Sequence, residues 1–129
     1  MVIKNHNECN EVFWDAKSFN YSLEEDSLWD VEKYWKLEYF LIKLCKALEG
    51  DHVLHRDLAA NLYYLSFSIN NLIGDHKDPL NGYEIENFDE DEADYCRDRL
   101  NHIMRILWGR IPLNDFDYML HNNPLFQRF

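Results

Sequence analysis

The sequence predicts an all-α, compact bundle-like domain, and three observations carry that expectation. Apolar residues recur at three- and four-residue spacing in three long stretches: Val31, Tyr34, Leu37, Leu41, Leu44 and Leu48; Leu54, Leu58, Leu62, Leu65, Ile69 and Leu72; Ala93, Cys96, Leu100, Ile103 and Leu107. That period places each set on one face of a helix. Glycine or a turn cluster separates the stretches, at Gly50, at Gly74 and from Asp78-Pro79 to Asn81-Gly82. Finally, 129 residues that are 47% hydrophobic suffice for one core and are marginal for two. Residues 1–129 are therefore read as a single helical domain with three substantial helices and at least one shorter terminal helix.

Taken in order, residues 1–27 hold short apolar patches, Val2-Ile3 and Val12-Phe13-Trp14, separated by Asn-rich sequence. They predict a short helix around Glu11 to Lys17 and an otherwise irregular arm over the bundle. The first long helix is expected from Asp26 or Ser27, either of which can cap it, with Glu32 and Lys36 as a favourable pair four residues apart. Trp35, Phe40 and Cys45 widen its apolar face, so it should touch more than one neighbour, and Gly50 should end it. Asp51 is the expected cap of the second long helix, which should run to Gly74. The opposite face of that helix, with Asn61, Tyr64, Ser68, Asn70 and Asn71, is polar but nearly uncharged. A solvated face usually carries Lys and Glu, so this one should pack against a polar surface or a loop.

Asp75 to Gly82 reads as a turn region, and Tyr83 to Phe88 alternates briefly, as an extended segment does. The stretch from about Phe88 to Trp108 organises the chain. It opens as an acidic run, Asp89 to Asp94, and continues as the third apolar stripe, so one element carries both core and charge. Carboxylates at its start face the partial positive end of the helix. Gly109 and Pro112 stop it; a last short helix, capped by Asn114, should follow from Leu113 and close at Pro124.

The formal charge is -11, from 24 acidic residues against 13 Lys and Arg. Such a surface repels a phosphate backbone and argues against direct nucleic-acid binding, while it steers a cationic protein inward. No apolar run approaches the length of a membrane span and no leader-like segment opens the chain, so a cytoplasmic protein without membrane association is expected. Three cysteines, Cys9, Cys45 and Cys96, form no CxxC pair, and the last two lie in apolar stripes where a reduced thiol behaves as a small hydrophobe.

Patterns of catalysis and metal binding are sparse. His6-x-x-Cys9 lacks a second ligand pair for zinc, Glu49-x-x-His52 is one half of a motif that a di-metal bundle needs twice, and the acidic run lacks the glycine and terminal glutamate of a calcium loop. No phosphate-binding glycine loop or nucleophile elbow is present. The sequence thus predicts no catalytic residue, no cofactor and no metal. What remains is the acidic tract, Glu84, Glu86, Asp89, Glu90, Asp91, Glu92 and Asp94, interleaved with Tyr83 and Phe88. Rings beside charges suit a protein interface, and these nine residues are the expected partner-binding set.

A compact acidic helical domain with this tract and surplus aromatics resembles, in type and without a diagnostic motif, the immunity proteins that bacteria pair with toxic enzymes. The resemblance implies binding and neutralisation of a cognate basic toxin, such as a nuclease; an adaptor or regulatory module for another basic protein is the alternative. Separately, Arg97-Asp98-Arg99-Leu100-Asn101-His102 resembles the Arg-x4-6-His motif of HEPN-domain proteins, many of which cut RNA. By that resemblance Arg97 would hold phosphate and His102 would act in acid–base catalysis, with Asp98 beside the arginine. Five positions on a straight helix separate two side chains by about 140°, so their convergence needs a bent helix or a second chain.

Overall fold

Four capping residues set where the helices begin. A computed structural model describes residues 12–15, 17–113 and 122–125, and within them helix α1 runs Phe19–Asp26, α2 Val31–Ala47, α3 Arg56–Lys77 and α4 Glu90–Leu107. Ser18, Asp30 and Asp89 each accept a hydrogen bond from the backbone N–H three residues on, while His55 accepts from Asp57 N. Each thereby satisfies a donor that the first helical turn leaves open. Helix α4 ends in a Schellman motif: Gly109 takes φ 73°, its N–H donates to Ile106 O, and Arg110 N–H donates to Arg105 O.

The four helices form a closed ring of neighbours in the order α1, α2, α4, α3. Leu37, Leu41 and Leu44 from α2, Leu62, Leu65 and Ile69 from α3, and Cys96, Leu100 and Ile103 from α4 meet in one buried core. Each Leu or Ile so buried contributes about 1.5–3 kcal/mol. Aromatic rings fill one side of it, with Phe19 edge-on to both Trp29 and Tyr34 at 5.1 and 5.4 Å. Ahead of α1, Phe13 is fully buried and meets Phe40 edge-on at 5.7 Å. No sheet forms among the described residues; an isolated parallel bridge joins Leu28 to Glu86.

Three boundaries differ from expectation. The first long helix does not start at Asp26 or Ser27, because Asp26 instead ends α1 and Ser27 caps it in the left-handed conformation, φ 49°. The break lets Trp29 turn into the core before Asp30 caps α2. Of the short helix expected at Glu11 to Lys17, only Val12 and Phe13 are helical among the described residues, and Glu11 and Ala16 lie outside them. The second long helix starts at Arg56 instead of after Asp51, and it runs through Gly74 to Lys77. One glycine costs a helix roughly 1 kcal/mol, and contacts of His76 and Lys77 beyond it outweigh that cost. The expected last helix from Leu113 falls largely on residues 114–121, outside the described residues; Pro124 and Leu125 sit in a single 3₁₀ turn.

Candidate functional site

The acidic tract is built on two supports, the loop 82–89 and the first turn of α4. The loop is tied down along its length. Ile85 N–H donates to His76 Nδ1 at 2.8 Å, and Tyr83 Oη donates to Leu23 O at 3.3 Å. Glu86 exchanges two backbone bonds with the α1–α2 link, donating to Ser27 O at 2.7 Å and accepting from Trp29 N at 3.0 Å. Asn87, at φ 62°, donates its side-chain amide to Trp29 O at 3.2 Å. Phe88 lies between the His76 ring at 4.0 Å and the Trp29 ring at 5.7 Å.

The nine residues singled out in the sequence thus lie on one continuous segment but do different things. Tyr83 and Phe88 are half-buried and brace the loop from beneath. Asp89 caps α4 through Glu92 N at 2.9 Å, and Glu92 accepts from the Trp29 indole N–H at 2.7 Å. Glu90 lies 3.7 Å from Lys77, and Asp94 pairs with Lys77 and, at 3.1 Å, with Arg97. The Lys77 hydrogen bond holds the Asp94 carboxyl below its ordinary range, with Arg97 adding to the effect. Glu84, Glu86 and Asp91 are exposed, and their carboxylates have no hydrogen bond or ion pair within the described residues. The result is a segment that exposes three unpaired carboxylates on a backbone held in place by the bonds of its neighbours.

A second polar constellation lies inside the molecule, and the sequence reading missed it. Glu38 on α2 and Arg99 on α4 are both buried. Arg99 Nε lies 3.0 and 2.9 Å from Glu38 Oε1 and Oε2, and Nη2 also donates to Oε1. Nη1 donates to the Tyr95 hydroxyl at 3.1 Å, and the guanidinium sits over the Trp35 and Tyr95 rings at 5.2 and 5.4 Å. Asn123 reaches in from the C-terminal segment, its amide 3.0 Å from Trp35 O and 3.4 Å from Glu38 Oε1. The Tyr34 hydroxyl lies 2.8 Å from both Glu38 Oε2 and Cys96 O. Burial lowers the basicity of Arg99, but its bonds to Glu38 reverse that and hold it firmly protonated. The signal was present: Glu38 falls between Tyr34 and Leu41, and Arg99 between Cys96 and Ile103, each inside an apolar stripe.

The Arg97 to His102 pattern lies wholly on α4. Arg97 is engaged with Asp94, Asp98 is exposed, and Asn101 pairs with Asn70 of α3 at 3.1 Å. The helix is continuous from Glu90 to Leu107, so Arg97 and His102 stay about 140° apart around it. Elsewhere, a cleft of about 780 Å³ opens where the C-terminal ends of α2 and α4 meet, lined among others by Cys45, His52, Trp108 and Arg110. Burial pushes the Cys45 thiol up to about 12, which keeps it protonated and a poor nucleophile near neutral pH.

Comparison with protein-family models, with curated proteins and with solved structures finds no match to this chain. Among the described residues, no helix is long and apolar enough to cross a membrane, and no three His, Cys, Asp or Glu side chains cluster as metal ligands.

Proposed function

We propose that this protein binds a basic protein and neutralises it, as immunity proteins do with toxic enzymes, through the segment from Tyr83 to Asp94. The observation that carries the reading is the display of Glu84 and Glu86 on a loop pinned to α1, α3 and the α1–α2 link, and of Asp91 on the first turn of α4, their carboxylates exposed and without partners among the described residues. A surface held in its binding geometry loses little conformational freedom on association, so more of the contact energy appears as affinity. The -11 charge of the whole chain steers a cationic partner toward it. A nuclease or other enzyme of anionic substrates presents cations around its cleft, and these carboxylates can occupy them in place of phosphate. Asp89, Glu90, Glu92 and Asp94 extend the field while also holding α4 and Trp29.

The test is capture of a partner from the native organism's lysate by the tagged protein, beside a variant carrying Glu84→Gln, Glu86→Gln and Asp91→Asn. These side chains hold nothing in the described fold, so the variant should keep its helicity and melting temperature. One basic protein retained in stoichiometric amount by the wild type, lost from the variant, and inhibited in its own assay supports the reading. Equal retention by both moves the interface elsewhere, and the absence of any saturable complex with expressed candidates overturns neutralisation.

A further inference from the structure

Helix α3 carries no charged side chain between Asp57 and Asp75, in a chain that is 29% charged. Its inner residues, Leu62, Leu65, Ile69 and Ile73, enter the core. Three polar flank positions are occupied as well: Tyr64 packs on Trp14 at 5.2 Å, Ser68 donates to Glu24 of α1, and Asn70 pairs with Asn101 of α4. Outside these remains the row Ala60, Tyr63, Phe67, Asn71 and Gly74, all exposed. Its spacing of three, four, four and three makes one straight stripe along the helix. Tyr63 is 62% and Phe67 51% exposed, and their rings stack at 5.8 Å with 17° between planes.

We propose that this stripe is the two-fold interface of a homodimer, with α3 of one copy antiparallel to α3 of the other. Charge selects the occupant. Two copies at -11 repel each other wherever carboxylates face, and the uncharged stripe lets them meet without that opposition. A basic partner gains nothing from it and is drawn to the acidic segment instead. Size is also self-complementary. With Phe67 at the two-fold axis, Tyr63 faces Asn71 of the second copy and Ala60 faces its Gly74, so large residues meet small ones and both ends of the contact are narrow. The glycine supports the same arrangement: it lies within the helix, and an added Cβ would meet nothing within 4 Å in its own chain. Neither backbone conformation nor internal packing explains it, whereas close approach of a second helix does.

The extent is modest. Half-exposed rings and their small neighbours supply on the order of 400 Å² per copy, about half of a standard interface. The dimer is therefore reversible and concentration-dependent, and it tightens as salt screens the repulsion between copies. Binding of a basic partner weakens with salt, so failure of either reading is told apart from failure of the other.

Sedimentation velocity of the full chain over a wide concentration range, at low and high salt, tests it. The wild type should shift from monomer to dimer with concentration, at lower concentration in high salt, and Phe67→Glu should remain monomeric with an unchanged melting temperature. Phe67→Cys in a Cys9→Ser background should cross-link to itself on mild oxidation, while Asp98→Cys in the same background should not. A wild type that stays monomeric at millimolar concentration, a dimer unaffected by Phe67→Glu, or equal cross-linking at positions 67 and 98 overturns the proposal.

Discussion

Arg99 and Glu38 face each other across the α2–α4 contact, with the guanidinium Nε within 3.0 Å of both carboxylate oxygens and both side chains out of water. Removing two charges from water is expensive, and the pair is tolerated because Tyr34, Tyr95 and Asn123 occupy the remaining bonding positions. Glu38→Leu or Arg99→Met alone should cost about 3–5 kcal/mol, because each leaves a buried charge without its partner. The double variant should be less destabilised than either single one. Tyr34 keeps Cys96 O and Asn123 keeps Trp35 O as acceptors in all three. Urea unfolding of the four proteins checks the order.

Ser27 and Asn87 are the two non-glycine residues with positive φ among the described residues, and they should respond differently to glycine. Ser27 has no side-chain hydrogen bond there, so Ser27→Gly should raise stability by about 1 kcal/mol through relief of the left-handed penalty. Asn87→Gly gains similarly but loses the amide bond to Trp29 O, so it should be near neutral. Asn87→Ala keeps the left-handed penalty and loses the amide bond, so it should cost about 1 kcal/mol. Thermal melts at one pH decide.

Trp29→Phe keeps most of the buried ring but removes the indole donor to Glu92. A hydrogen bond to a charged acceptor is worth about 1.5–3 kcal/mol, and a loss of that size is expected. The same variant should speed hydrogen exchange at Glu86 N–H, which is bonded across the Leu28–Glu86 bridge, more than at Leu65 in the core. Exchange mapping by mass spectrometry or NMR measures it.

Cys45, Cys96 and Tyr34 should make the fold sensitive to alkali. Burial pushes Cys45 up to about 12 and holds Cys96 and Tyr34 above their ordinary values, with the Glu38 charge adding to the effect on the last two. Each group is favoured as its neutral form in the native state. Its contribution is complete below the unfolded pKa, near 9 for the thiols, and is lost as pH rises through the folded value. Stability should therefore fall steadily above about pH 9. At neutral pH, iodoacetamide should label Cys45 and Cys96 slowly in native protein and quickly in urea, as read by peptide mass mapping.

The helical class was legible because Leu37 to Leu44, Leu58 to Leu72 and Ala93 to Leu107 each keep one period over several turns. Helix ends were less so. Asp51 and Asp26 both satisfy a capping rule, yet local propensity is overridden where Trp29 must enter the core and where Gly74 is followed by residues with tertiary partners. The acidic segment was visible as charge, but the division between carboxylates that hold α4 and those that face water depends on Lys77, Arg97 and Trp29, which are distant in sequence or unremarkable by type. Glu38 and Arg99 were not legible as a buried pair because a single charged side chain in an apolar stripe is costly to bury, and only their pairing across 61 residues makes burial tolerable.

That separation also orders events on the ribosome. At about 5–20 residues per second, Arg99 follows Glu38 into existence by about 3–12 s. Once Lys77 has been made, α1, α2 and α3 are complete in sequence, yet closing their common core before Arg99 appears would strand a carboxylate in it. Asn123, 85 residues after Glu38, is made later still. A nascent chain of this protein should therefore stay open and accessible to chaperones until α4 arrives, and should commit to its fold in a single late step.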